Sequence, residues 1–187
     1  MARAFVRSPA SAVAAAFAIF AMARPPMAAP LGSAAPSVPA TISAPATERI
    51  VLEARASGAQ VYACRRGSDG QVQWVLEGPD ATLRDQTGTV IGRHFAGPTW
   101  KLKDGSAVRG KAVAHADSPD ANSVPWLLVV VTHHAGSGLL AEVTHIQRVS
   151  TQGGQPPASG CEASKLGARA RSPYRADYIF YAPAAAR

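Results

Sequence analysis

The sequence has few cysteines and lacks the short motifs that mark common catalytic or metal sites. Cys64 and Cys161 are its only cysteines, and no C-x-x-C or Cys-His spacing suggests that they hold a metal. The G-x-S-x-G, H-E-x-x-H and H-x-H patterns are absent. The glycine-rich runs also lack the strand–loop–helix context of phosphate-binding loops. We therefore predict no catalytic residue, no metal site and no cofactor.

The N-terminus has the pattern of a secretory signal peptide. Arg3 and Arg7 precede an uncharged run, Ser11–Ala23, that ends in the small-x-small tripeptide Ala-Met-Ala. This run is shorter than the roughly 20 apolar residues that span a bilayer. The pattern predicts cleavage after Ala23 and export to the periplasm or the extracellular space, with no transmembrane segment left after cleavage. An uncleaved anchor and a disordered alanine-rich tail are the alternatives.

A segment rich in proline and alanine follows the signal pattern. Residues 24–47 carry almost no charge and few large apolar side chains. Such a segment buries too little surface to offset its ordering entropy, and its prolines favour extended structure. We expect a signal peptide over 1–23, a disordered linker over 24–47 and a single domain over 48–187.

The chain is basic, and its basic residues are dispersed along the sequence. Nineteen lysines and arginines outnumber twelve aspartates and glutamates, which gives a formal net charge of +7. No nucleic-acid-binding motif accompanies this excess, so we expect a solvated basic surface and no nucleic-acid partner.

From Glu48 onward, strand patterns alternate with turn residues. In VQWVLEG, the residues Val72, Trp74 and Leu76 share one face with a period of two, which is typical of a half-buried strand. The closing segment, PYRADYIFYAP, places four residues on one face: Tyr174, Ala176, Tyr178 and Phe180. Short strands at regular spacing, without a long amphipathic helix, predict an all-β fold, either an antiparallel β-sandwich or a barrel.

The two cysteines predict a cross-link. An isolated pair in an exported chain sits in an oxidising compartment, where a disulfide forms and persists. We expect Cys64 and Cys161 to form a structural disulfide, with a reactive thiol or a metal ligand as the alternative.

The stretch IGRHFAGPTW combines a histidine, a Gly-Pro pair and a tryptophan. Gly97-Pro98 is a turn signal, so two strand segments should meet at a tight corner between His94 and Trp100. In one interpretation both residues are structural, Trp100 in the core and His94 as a satisfied polar group. In the other they line a cleft, where they offer a polar contact and a stacking face.

Histidine is the commonest metal ligand, and the chain has five histidines: His94, His115, His133, His134 and His145. Their spacing does not favour a metal site. His133 and His134 are adjacent, so on a strand they point to opposite faces.

Several ordered blocks resemble one family. The blocks VYAC, GRHFAGPTW, DGSAVRG, VPWLLVV, THIQRVSTQGG with PPASGC, and PYRADYIFY occur in this order between about Ala46 and Pro183. They resemble the secreted bacterial and fungal family catalogued as domain of unknown function 3455. The resemblance implies an exported β-rich domain and no established activity. Lys101 stands where that family has an acidic residue, so no acid–base role is expected at this position.

These observations favour an exported, non-catalytic, envelope-associated or ligand-binding β-domain. A small molecule and an envelope polysaccharide are the candidate ligands, with His94 and Trp100 as the candidate contacts. The alternative is a hydrolase or metal-dependent enzyme with its site near His94 and Trp100.

Overall fold

The structure of the chain is a computed structural model, which describes Met1 and residues 37–184. Residues 2–23 of the predicted signal peptide and residues 24–36 of the predicted linker lie outside the described residues. Within the described part, no helix has the length and apolar character needed to cross a membrane. The helical elements found there are two short 3-10 helices, Ala40–Ile42 and Ala163–Lys165.

Eight antiparallel strands form one closed sheet. In chain order they are β1 (Glu48–Arg66), β2 (Val72–Arg84), β3 (Val90–Phe95), β4 (Thr99–Leu102), β5 (Ala107–Ala116), β6 (Trp126–Ala135), β7 (His145–Gly153) and β8 (Arg169–Pro183). Each strand pairs with its neighbours in sequence, and β8 pairs with β1 to close the barrel. The prediction of an all-β antiparallel fold is confirmed, and of the two architectures considered the barrel is the one found.

The last strand follows the predicted alternation. Tyr174, Tyr178 and Phe180 are buried in the barrel interior, each no more than 2% exposed. The arginines Arg171 and Arg175, at odd positions of the same strand, are exposed. The period of two therefore separates an aromatic inner face from a charged outer face on this strand.

Small residues on β1 and β2 make room for these aromatic rings. Ala54 of β1 lies opposite Tyr178 in the register, and Gly58 lies opposite Tyr174. A Cβ atom placed on Gly58 would approach the Cα of Ala81 on β2 to 2.6 Å. A larger side chain at Gly58 would therefore push β1 and β2 apart.

The chain before β1 packs on the outside of the barrel. Ile42 is fully buried and forms a second apolar cluster with Trp126 of β6 and Val149 of β7. The amide Nε2 of Gln147 donates to the carbonyl oxygen of Ile42 at 2.7 Å. Part of the segment predicted to be a linker thus packs on the barrel, where Ile42 supplies an apolar side chain to the outer face.

The two ends of the barrel are covered differently. At one end, Leu140 and Val143 of the β6–β7 loop are fully buried within the interior cluster. At the other end, a disulfide between Cys64 and Cys161 fastens the β7–β8 loop to β1. Trp74 supports the same loop by donating its Nε1 hydrogen to the carbonyl oxygen of Ser159 at 3.0 Å. The predicted pairing of the two cysteines is present.

Candidate functional site

The hairpin of β3 and β4 places His94 directly opposite Trp100. The two residues are partners in the antiparallel register, and their rings stack with centroids 4.3 Å apart and planes 9° from parallel. Gly97 in the connecting turn has a φ of 86°, a left-handed conformation that glycine adopts without strain. The predicted corner at Gly97-Pro98 is therefore where the hairpin reverses.

Both rings are buried, and both also border an internal cavity. His94 is 3% exposed and Trp100 is 1% exposed. Each lines a cavity of about 290 Å³ near one end of the barrel. The two interpretations of this stretch are compatible in the structure, because these core side chains also form part of a cavity wall.

The environment of His94 keeps its imidazole neutral. Burial lowers the pKa of His94 to about 3, an effect that the hydrogen bond to Thr99 opposes and that the nearby Arg148 guanidinium adds to. Nδ1 lies 3.0 Å from the carbonyl oxygen of Thr99. A carbonyl oxygen only accepts, so Nδ1 carries the hydrogen and Nε2 holds a lone pair.

Tyr178 continues the wall beside His94 and Trp100, and its hydrogen-bonding neighbour Tyr174 lies outside the cavity lining. Tyr178 meets the His94 ring edge-on, with centroids 5.0 Å apart, and its hydroxyl lies 2.7 Å from that of Tyr174. Burial raises the pKa of Tyr178 and raises that of Tyr174 well above its ordinary value. Both phenols are therefore neutral hydrogen-bonding groups at physiological pH.

Arg148 is the positively charged member of this group. It lies on β7, opposite Leu127 of β6 and Tyr178 of β8 in the register. Its Nε and Nη2 atoms donate to the carbonyl oxygen of Pro125 at 3.1 and 2.7 Å. Among the described residues, no carboxylate lies within ion-pair distance of its guanidinium.

Arg148 is not among the site residues predicted from the sequence. The signal that could have identified it is the alternation of β7, where Ile146 is fully buried and Arg148 shares its inward face two residues later. An arginine at an inward position of a strand needs polar partners or a ligand. Here the main-chain carbonyl of Pro125 is one such partner.

The cavity combines an apolar wall with a few polar groups. It is lined by Gln60, Leu76, Glu77, Gly78, Pro79, His94, Gly97, Pro98, Trp100, Ala112, Leu127, Val129, Arg148 and Tyr178. Leu76 is 52% exposed, which places the cavity rim near the start of β2. Glu77, also on this rim, is paired with Arg169 at 2.9 Å and with Arg65.

Two buried polar atoms in the cavity wall have no hydrogen-bond partner. They are Oε1 of Gln60 and Nε1 of Trp100, on side chains that are 2% and 1% exposed. Buried polar groups are nearly always paired in folded proteins, because leaving one unpaired costs about 1–3 kcal/mol. Both residues line the cavity, although neither of these atoms is itself exposed to it.

The other histidines lie away from the cavity wall. His145 Nδ1 is 2.8 Å from the Glu48 carboxylate, and His134 Nε2 is 2.7 Å from the carbonyl oxygen of Val143. His133 is exposed on β6. Among the described residues, no three histidine, cysteine, aspartate or glutamate side chains are grouped closely enough to hold a metal ion.

Fold and site together define a class of protein: an eight-stranded, up-and-down antiparallel barrel with a small, largely apolar internal cavity. Within that class, the chain belongs to the family described as protein of unknown function (DUF3455), whose family model matches residues 45–182. The resemblance noted in the sequence is thereby confirmed. No curated protein and no solved structure matches the chain significantly.

Proposed function

We propose that the protein is an exported binding protein that holds a small molecule in the cavity of its barrel. The observation that carries the proposal is the cavity of about 290 Å³, whose wall combines the His94 and Trp100 rings with the polar side chains of Gln60 and Arg148. The interior of an eight-stranded barrel is either filled by side chains or holds one small ligand. A cavity of this volume is at the lower end of the range for ligand pockets, which favours a small molecule over a polysaccharide chain.

Export is supported by two features of the chain. The N-terminal sequence has the order of a signal peptide, with basic residues, an apolar run and a small-x-small site. The Cys64–Cys161 disulfide is compatible with an oxidising compartment. We infer that the protein acts in the periplasm or outside the cell.

Binding is favoured over catalysis because His94 is neutral and its Nδ1 atom is already hydrogen-bonded. A general base works best when its pKa lies near the working pH, whereas burial lowers the pKa of His94 to about 3. Its Nδ1 is also engaged by Thr99. The stacked His94 and Trp100 rings are better suited to contact a flat ligand than to transfer a proton near neutral pH.

The test is a screen of single-ring aromatic compounds against the mature protein. Benzyl alcohol, benzamide and benzoate would be added to the wild type, and binding measured by thermal shift and by tryptophan fluorescence. Trp100 lines the cavity, so we expect bound compounds to change its emission.

A matched pair of variants locates the binding. Ala112→Phe adds a ring at the cavity wall, whereas Val113→Phe adds the same ring at a neighbouring position that is 55% exposed and outside the cavity lining. We expect Ala112→Phe to abolish the thermal shifts and Val113→Phe to retain them. Equal shifts in both variants, or no shift with any compound in the wild type, would contradict the proposal.

A further inference from the structure

We propose that the cavity selects small organic anions, carboxylates in particular, and that Arg148 is the residue that contacts the anionic group. This inference rests on the proposed binding function and specifies its ligand class. It follows from the distribution of charge around the cavity, the apolar character of its wall and its size.

The cavity has an unbalanced positive charge. Arg148 borders it, and among the described residues its guanidinium has no carboxylate partner. Glu77 is the acidic residue of the lining, but its carboxylate already pairs with Arg65 and Arg169. The charge of Glu77 is thus met by Arg65 and Arg169, whereas no carboxylate of the described residues meets that of Arg148.

The remaining ionisable groups of the wall do not offset this charge. His94 is neutral, because its pKa is lowered to about 3. Tyr174 and Tyr178, adjoining the cavity, stay protonated, because burial raises the pKa of both. A guanidinium in a partly buried, apolar setting is unfavourable without a counter-ion. A bound carboxylate would supply one.

The geometry of Arg148 leaves donors available for a ligand. Nε and Nη2 donate to the carbonyl oxygen of Pro125, which fixes the plane of the guanidinium. The group has five N–H donors in total. Besides Pro125, the hydroxyls of Tyr174 and Tyr178 accept from it, so fewer than three donors are left for a carboxylate. The ring of Trp100 lines the same cavity and offers an apolar surface to the ligand.

The expected ligand is therefore a small acid with a flat apolar part. The apolar wall, which includes Leu127 and Val129, contacts the body of the ligand. Charge-assisted hydrogen bonds from arginine to a carboxylate are about twice as strong as neutral ones. Arg148 should therefore discriminate between an acid and its neutral amide.

The experiment compares benzoate with benzamide, which have nearly the same shape and differ in charge. Their dissociation constants would be measured by calorimetry at pH 7 on the wild type, Arg148→Gln, Arg148→Lys and Arg49→Gln. Arg49 is an exposed arginine on β1 outside the cavity, so its variant controls for the general charge of the surface.

We expect the wild type and Arg49→Gln to bind benzoate at least about tenfold more tightly than benzamide, a difference of about 1.4 kcal/mol. Arg148→Gln should bring the ratio of the two constants to about one and leave benzamide binding nearly unchanged. Arg148→Lys should retain part of the preference. If Arg148 had a purely structural role, Arg148→Gln would weaken the binding of both compounds equally and preserve the ratio of their dissociation constants.

The outcomes separate the two proposals. Benzamide binding as tightly as benzoate to the wild type would overturn the anion preference and leave the binding function standing. This comparison needs no variant, so it decides the question even if Arg148→Gln fails to fold. A preference for benzoate that persists in Arg148→Gln would also overturn the assignment of Arg148. Absence of binding by every compound, neutral or charged, would overturn both proposals.

Discussion

Nδ1 of His94 lies 3.0 Å from the carbonyl oxygen of Thr99, within a hairpin that buries the imidazole almost completely. The folded protein thus holds a histidine that stays neutral down to a pH of about 3. In the unfolded chain, the same side chain becomes protonated near its ordinary pKa of about 6.5. Between these two values the unfolded state binds the extra proton, so acid favours unfolding.

The first prediction concerns the acid stability of this histidine. As the pH falls from 6.5 toward 3, the free energy of unfolding of the wild type should decrease by up to about 1.4 kcal/mol per pH unit because of His94. His94→Phe, which keeps a stacked ring, should lose this component of the slope, and His133→Gln at an exposed position should keep it. Urea unfolding at a series of pH values measures the slopes. Identical slopes in the wild type and His94→Phe would contradict the prediction.

The second prediction concerns Trp100. Because its side chain is only 1% exposed, Trp100→Ala should lower the free energy of unfolding by about 3–5 kcal/mol. Trp74 is partly exposed and contacts the β7–β8 loop, so Trp74→Ala should cause a clearly smaller loss. Urea unfolding compares the two variants, and equal losses would mean that Trp100 does not act as a core residue.

The third prediction concerns the disulfide. It joins residues 97 positions apart, and a closed loop of about 100 residues stabilises a fold by at most about 4.7 kcal/mol on the chain-entropy argument. The double variant Cys64→Ala, Cys161→Ala should therefore unfold at lower urea concentration than the oxidised wild type. Thiol titration of the exported wild type should find no free thiol, and two free thiols would refute the cross-link.

The fourth prediction tests the chain segment before β1. Ile42→Ala should lower the free energy of unfolding by about 2–5 kcal/mol, since the side chain is fully buried on the outer face of the barrel. Ile50 carries the same side chain but is 50% exposed, so Ile50→Ala should change stability much less. If the two variants had equal stability, the packing of this segment would contribute nothing in solution.

The fifth prediction concerns export. The sequence pattern predicts cleavage after Ala23. Mass spectrometry of the exported protein should therefore find Arg24 as its first residue. An intact N-terminus on protein recovered from the cytoplasm would count against export.

Local patterns predicted the strands and the hairpin well. The alternation around Tyr178 and the turn at Gly97-Pro98 both reflect local conformational preferences, and both are present in the structure. The pairing of Cys64 with Cys161 followed from their number and the predicted compartment rather than from geometry.

Features that depend on distant contacts could not be predicted in the same way. Closure of the barrel depends on β1 meeting β8, and local alternation is the same in a sandwich and a barrel. Ile42 lies in a proline-rich segment whose composition indicates a linker. Composition alone does not reveal that this isoleucine packs against an apolar surface of the barrel. The role proposed for Arg148 also depends on which face of β7 turns inward and on the lack of a carboxylate near it in the part of the chain that the structure describes.

The pairing of the first strand with the last also determines when folding can finish. Glu48 faces Pro183 across the closing pair of strands, so the barrel cannot close until nearly all of the domain is available. Pairings between such distant residues are typical of β-proteins that fold in milliseconds to seconds rather than in microseconds. A chain that closes so late remains open while its C-terminal strand is still being made. Under the export that we propose, this delay would extend the time in which translocation of the unfolded chain can begin.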